Sequence, residues 1–405
     1  MMTLDTNLTR LADLCVGFGL NLKTGQDLII TAPIEAVELV RKVTSAAYQA
    51  GAVNVIPFYA DDAAQLARFE HGDPAIFDNA PDWLFKAMAG AFRNGAARLA
   101  IAGGTPGLLA GQDPDKVSRA NTAMAQAMRP ALDAITGNVT NWNIVPFVTE
   151  GWAKQVFPDL APPDAVNTLW GHVFNALRLD QSDPVAAWQN NFAMLYQRRD
   201  ALQNMAFSAL HFEGGGTDLT VGLAKGHKWV GGGLALPNGQ AYAPNLPTEE
   251  IFTMPDRNRV DGRAAFTKPA VIGGSIVEGL VVTFKDGKAV EITADKGEGV
   301  AQTYFTTDEG ASRLGEVALV PESSPIAESG VLYYNTLFDE NAACHIAFGN
   351  AYAMNLMDGF DREEAGMNES QIHMDCMIGG PEVNVTGIAA DGVRHPVMQA
   401  GEYVI

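Results

Sequence analysis

In the first half of the chain, short apolar runs alternate with longer stretches in which apolar residues recur at three- and four-residue steps. DLIITAP, residues 27–33, is a short apolar run; IEAVELVRKVTSAAYQAGA follows with helical spacing, and VNVIPFY, residues 53–59, returns to strand character. That order predicts a βαβ unit. RLAIAGG at 98–104, the helix-like KVSRANTAMAQAMRPALDAIT and NVTNWNIVPF at 138–147 repeat it, which predicts an N-terminal α/β domain with a partly parallel sheet. Pro130 interrupts the middle helix and is expected to kink it. Two helical stretches come next, AVNTLWGHVFNALRL and VAAWQNNFAMLYQRRDALQNM.

The pattern then changes. FSALHFEG, TDLTVGLA and KWVGGG alternate with glycine clusters, and SIVEGLVVTFKDGKAVEITA holds a central Asp-Gly between two β-rich runs, a hairpin signal. The second half is therefore expected to be a larger, strand-rich α+β domain, with the chain divided into 1–190 and 191–405 and the long helix joining the parts rigidly. No internal repeat or low-complexity linker interrupts it.

At 405 residues, with 47% hydrophobic and 18% charged positions, the chain has the composition of a globular protein. Lys and Arg number 27 against 47 Asp and Glu, a formal charge of −20 that would repel a phosphate backbone, so no nucleic-acid partner is expected. Cations and amine-bearing ligands would be drawn in. Gly, Asn, Asp and Lys break every apolar run before it reaches the roughly 18 residues of a membrane span. The opening MMTLDTNLTRLADLCVGFGL lacks the layout of a secretory signal, and Cys15, Cys344 and Cys376 have no CxxC spacing. A cytoplasmic protein without disulfides or a thiolate zinc site is expected.

The chemistry is concentrated in the second half. LFDENAACHIAFG, residues 337–349, sets Glu340 and His345 inside an otherwise apolar run, beside Asp339. Burying unpaired charges costs several kcal/mol, roughly, so these groups need a partner, and a cation is one. NLPTEEIFTMPDR, 245–257, adds Glu249 and Glu250; alone it also fits a helix start capped by Thr248. RLGEVALVP, 313–321, puts Glu316 at the head of an apolar strand. SQIHMDCMIGG, 370–380, sets His373 and Asp375 two apart, on one face if the segment is a strand. Together Glu250, Glu316, Glu340, His345, His373 and Asp375 exceed what one zinc ion takes and suit two divalent ions about 3.5–4 Å apart. Such a pair activates water for hydrolysis, with Glu316 or Glu249 as general base and Tyr352 as hydrogen-bond donor to the oxyanion, unless Tyr352 is only a packed aromatic. AGGTPG, 102–107, matches no phosphate-loop pattern, and EGGGTDL and VGGGL are expected as tight turns or close backbone approaches.

HFEGGGTDLTVGL, NLPTEEIFTMPDR, LGEVALVP, LFDENAACHIAFGNAY and SQIHMDCMIGG, in that order and spacing, resemble the M29 metallo-aminopeptidases; LADLCVGFGLNLKTGQDLIITAP extends the likeness to the N-terminus. The resemblance implies a homodimeric, cytoplasmic exopeptidase that removes N-terminal residues from peptides with a free N-terminus. It would use hydroxide activated by two divalent ions: cobalt, zinc, magnesium or manganese. The family's ligands would fall on Glu250, Glu316 as the bridge, Glu340, His345, His373 and Asp375, and its active-site tyrosine on Tyr352. The sequence departs from the family pattern at Cys376, where a large apolar residue is expected; on a strand its thiol would face away from the site. Two alternatives stay open on the residues alone: a two-metal hydrolase of another small amide, and a metal-stabilised binding or assembly protein.

Overall fold

The computed structural model describes residues 3–272 and 275–405. By compactness the chain forms two units, one up to Trp188 together with Gly233–Pro247, the other Gln189–Gly232 with Thr248–Ile405.

The first unit is built on a four-stranded sheet whose strands run, in spatial order, Val55–Ala60, Leu28–Pro33, Ala97–Ala102 and Trp142–Pro146, all parallel. Leu28–Pro33 lies inside the sheet, and Leu28 to Ile30 are buried, which is why it reads as an unbroken apolar run. The expected helix after it spans Val37–Gln49. Pro130 is carried within a continuous helix, Pro114–Thr136, rather than ending it. Helix Asp62–His71 has no counterpart in the hydrophobic pattern because it buries only Phe69. Residues 233–247 join this unit through hydrogen bonds from Ile144 N to Pro244 O and from Leu246 N to Ile144 O. No change in composition marks that excursion.

The second unit is strand-rich and antiparallel, with an eight-stranded and a five-stranded sheet among the described residues. In the larger sheet the expected hairpin joins Val281–Lys285 to Lys288–Thr293. Its loop is the Asp-Gly pair, both in the left-handed region, Asp286 at φ 51° and Gly287 at φ 79°. The smaller sheet runs His373–Met377, His345–Gly349, Leu314–Leu319, Ile251–Thr253, Val230–Gly231 in spatial order. No helix of the described residues is long and apolar enough to cross a membrane.

Candidate metal centre

The smaller sheet collects the carboxylates and imidazoles. Leu314–Leu319 and His345–Gly349 are buried along their whole length, so every polar side chain on them needs a partner in the interior. Glu316 sits opposite Ala347, and Ala347 opposite Asp375, which sets two carboxylates on one face on either side of a single methyl. His345 and His373 lie two positions before Ala347 and Asp375 and share that face. Glu250 immediately precedes Ile251–Thr253, the strand that pairs with the Glu316 strand. Residues 245–250 form no helix, so the capped helical turn at Thr248 is not adopted.

A bulge aims Glu316. Leu314 pairs with Phe348 but Glu316 with Ala347, which leaves Gly315 as the extra residue. A Cβ there would stand 2.4 Å from Gly349 O and 2.5 Å from Asn350 O, so the crossing of the two chains admits only glycine without a shift.

Glu316 is the fork of the cluster. Its Oε1 lies 3.6 Å from His345 Nε2 and its Oε2 3.9 Å from His373 Nε2. On the first side Glu250 Oε2 is 3.3 Å from His345 Nε2, and on the second Asp375 Oδ1 is 3.4 Å from His373 Nε2. Glu250, Glu316 and His345 bring one ligand atom each within 4.8 Å of one another. Both imidazoles are oriented from behind by backbone carbonyls: Nδ1 of His345 is 3.2 Å from Ala343 O and Nδ1 of His373 is 2.7 Å from Asn350 O. That second contact turns Nε2 inward, the arrangement found at metal-ligating histidines.

The electrostatics of these side chains point the same way. Burial pushes the Glu316 carboxyl up to about 7, with Glu250 and Asp375 adding to the effect against the hydrogen bond to His345. Burial and then the charges of Glu250 and Asp375 hold the Glu340 carboxyl well above its usual range. Burial alone would lower both histidines, yet Glu250 and Glu316 raise His345 well above its ordinary value and Asp375 raises His373 to about 9. Burial would raise Asp375, but the hydrogen bond to His373 and the charges of His373 and His345 together outweigh it and lower the group. Buried carboxylates crowded together, with Glu316 and Glu340 raised above their usual range, are what a site for divalent cations looks like before the cations compensate it. The oxygen and nitrogen donors fit such ions, and no thiolate enters: Cys376 pairs with Ile346 and is buried on the other face.

A family model described as thermophilic metalloprotease (M29) matches residues 4–403. The chain belongs to that M29 family. It is 50% identical over 402 residues to aminopeptidase T of Thermus aquaticus, covering 98% of each chain. It is 38% identical over 408 residues to aminopeptidase AmpS of Bacillus subtilis strain 168, covering 100% of each. The solved structure of wild-type AmpT from Thermus thermophilus superposes with a TM-score of 0.96 at 48% identity, covering 100% of both chains.

Around these candidate ligands, three further groups take positions that sequence reasoning assigned or overlooked. The Tyr352 ring packs 4.7 Å from the His373 ring, centroid to centroid. Burial first, then Glu316 and Asp375, push its hydroxyl upward, so it stays a proton donor. Glu249 is buried, and its backbone N–H donates to Asn341 Oδ1 at 2.6 Å. Asn341, overlooked in the sequence, also donates from Nδ2 to Glu340 Oε1 at 3.5 Å and so links the two glutamate segments. Its only signal was its place beside Glu340 in a buried run.

Proposed function

We propose that this metalloprotease is an aminopeptidase working with two divalent ions held by Glu250, Glu316, Glu340, His345, His373 and Asp375. The observation that supports two ions rather than one is the fork of Glu316, whose two oxygens face different imidazoles. When bound, such a pair lowers the pKa of a water and polarises the scissile carbonyl. Glu316 holds the two halves of the site at one spacing, and the backbone carbonyls behind His345 and His373 fix which ring nitrogen is offered. Tyr352, kept protonated by its surroundings, donates to the substrate oxygen as negative charge develops on it. The proton of the attacking water goes to Glu316 or Glu249. Glu249→Gln separates the two: unchanged ion content with a fallen kcat assigns the transfer to Glu249, and an unchanged kcat removes Glu249 from the mechanism.

The acidic surplus of the chain favours a cationic amine at the site, which makes peptides with a free N-terminus the substrates. A cytoplasmic homodimer completes the reading; the three cysteines are free and buried, as suits a reducing compartment. The deciding experiment treats the protein with chelator and adds back cobalt, zinc, manganese or magnesium. Hydrolysis of leucine p-nitroanilide and of its N-acetyl form is then assayed beside the ion content per chain. Activity restored on the free amine alone, at two ions per chain, is expected. Full activity at one ion per chain would sink the two-ion site, and equal cleavage of the blocked anilide would sink the aminopeptidase.

A further inference from the structure

A cavity of about 240 Å³ adjoins the candidate ligands, with Glu340, His373 and Asp375 in its lining. The same lining contains Tyr304, Leu332, Tyr334 and Met377, which give it an apolar side. An apolar cavity of about 150 Å³ already takes benzene, so this one has room for a large side chain. Tyr334 stands out among these residues. Its backbone is in the left-handed region, φ 53°, which a bulky residue adopts only when its surroundings impose it.

The imposing group is Asp339. Its buried carboxylate accepts from the N–H of Tyr333 at 2.8 Å and from the N–H of Asn335 at 2.9 Å, the residues on either side of Tyr334. Tyr333 is held in turn, its ring stacked on Phe338 at 4.6 Å and its hydroxyl 3.0 Å from Ser329 Oγ. Asn335 caps the short helix Thr336–Asp339 by accepting from Leu337 N–H. Tyr333 thus turns into the core and Tyr334 to the cavity, and the segment that ends in Asp339 continues directly into Glu340. The strain at Tyr334 fixes a wall of the cavity at a set distance along the chain from a candidate ligand.

Resting on the aminopeptidase reading, we infer that Tyr334 determines which first side chain the enzyme accepts, and that Asp339 is the positioning residue that holds Tyr334 in place. The cavity receives the side chain of the N-terminal residue while the neighbouring ligands handle its amine and carbonyl. Tyr334 limits the depth, so the wild-type enzyme favours leucine-sized over tryptophan-sized residues.

The test compares kcat/KM of ion-loaded enzyme for alanine, leucine and tryptophan anilides. Tyr334→Gly suits the left-handed backbone and removes the ring without strain. It is expected to raise the tryptophan-to-leucine ratio about 10-fold or more, the scale on which apolar pockets discriminate. Asp339→Ala should move the ratio in the same direction by releasing the loop, and Asp339→Asn, which keeps one acceptor, should restore part of the wild-type ratio. Asp339 also lies in the cavity lining, so an effect of Asp339→Ala that persists in the Tyr334→Gly background would be its own and would overturn the positioning claim. A merely structural role for Asp339 would lower kcat on all three anilides equally and leave the ratios alone, which would overturn the positioning claim. If the Asp339 variants do not fold, Tyr334→Gly still decides the pocket. Active wild-type enzyme with the same ratios as Tyr334→Gly would overturn the pocket assignment alone. Wild-type enzyme that cleaves none of the anilides would overturn the aminopeptidase reading and this inference with it.

Discussion

Glu316 carries opposite consequences for stability and for chemistry. Ionising it costs stability first through burial and then through Glu250 and Asp375, against the opposing His345 and His373, yet in the proposed site it would be a ligand. Glu316→Gln is therefore expected to melt higher than wild type when both are chelated at about pH 8, while ion-loaded activity falls by at least the roughly 10–100-fold that losing a supporting group costs at metal sites. A chelated variant that melts lower would contradict the claim that the buried charge of Glu316 is destabilising. The pH dependence follows from the same groups. Glu316 is raised from 4.5 to about 7 and His373 from 6.5 to about 9. Both contribute stability that is complete below their ordinary values and is lost as pH climbs through the folded ones. Asp375, lowered from 3.8, contributes stability present above that value and lost only on acidification. Ion binding needs the deprotonated ligands, so the Tm difference between ion-loaded and chelated protein should widen from about pH 6 to about pH 9. A constant difference across that range would show that these groups do not titrate as the cluster requires.

At the scale of elements, the site is a product of sheet register. The HxD spacing in SQIHMDC was legible because a period of two puts both side chains on one face, and the same rule sent Cys376 to the other. The bulge at Gly315 was not legible: its cause is the backbone of Gly349 and Asn350, more than thirty positions away in sequence. Asp339 was noticed only as an acid in an apolar run, since its partners are the amides of a loop whose shape no local pattern states. Gly315→Ala must push against two carbonyl oxygens, and a loss of about 1–3 kcal/mol is expected together with reduced ion content, because Glu316 shifts with the strand. Gly90→Ala is the control: it lies within helix Asp82–Arg93, its Cβ would meet nothing within 4 Å, and it should stabilise by about 0.5–1 kcal/mol with activity unchanged. Chemical denaturation with metal analysis reads both. Equal and small effects would mean that the bulge does not aim the ligand.

For the whole molecule, the N-terminal βαβ order and the strand-rich second half were readable because periodicity reports local structure directly. The crossing of residues 233–247 into the first unit was not, since it depends on backbone hydrogen bonds to the strand around Ile144. Charge is the other property that belongs to the entire chain. The two divalent ions proposed would add four positive charges to a formal −20, so the loaded enzyme would still carry about −16. The field that attracts cations therefore outlasts metal loading and acts on the substrate amine as well. Raising ionic strength from about 0.01 M to about 0.15 M shortens the screening length from roughly 30 Å to roughly 8 Å. Enzyme loaded with ions beforehand should then lose several-fold in kcat/KM for leucine anilide, and more for lysine anilide, which carries a second positive charge, while kcat stays level. A kcat/KM that is flat for both substrates would mean that the acidic surface serves solubility and does not guide substrate to the site.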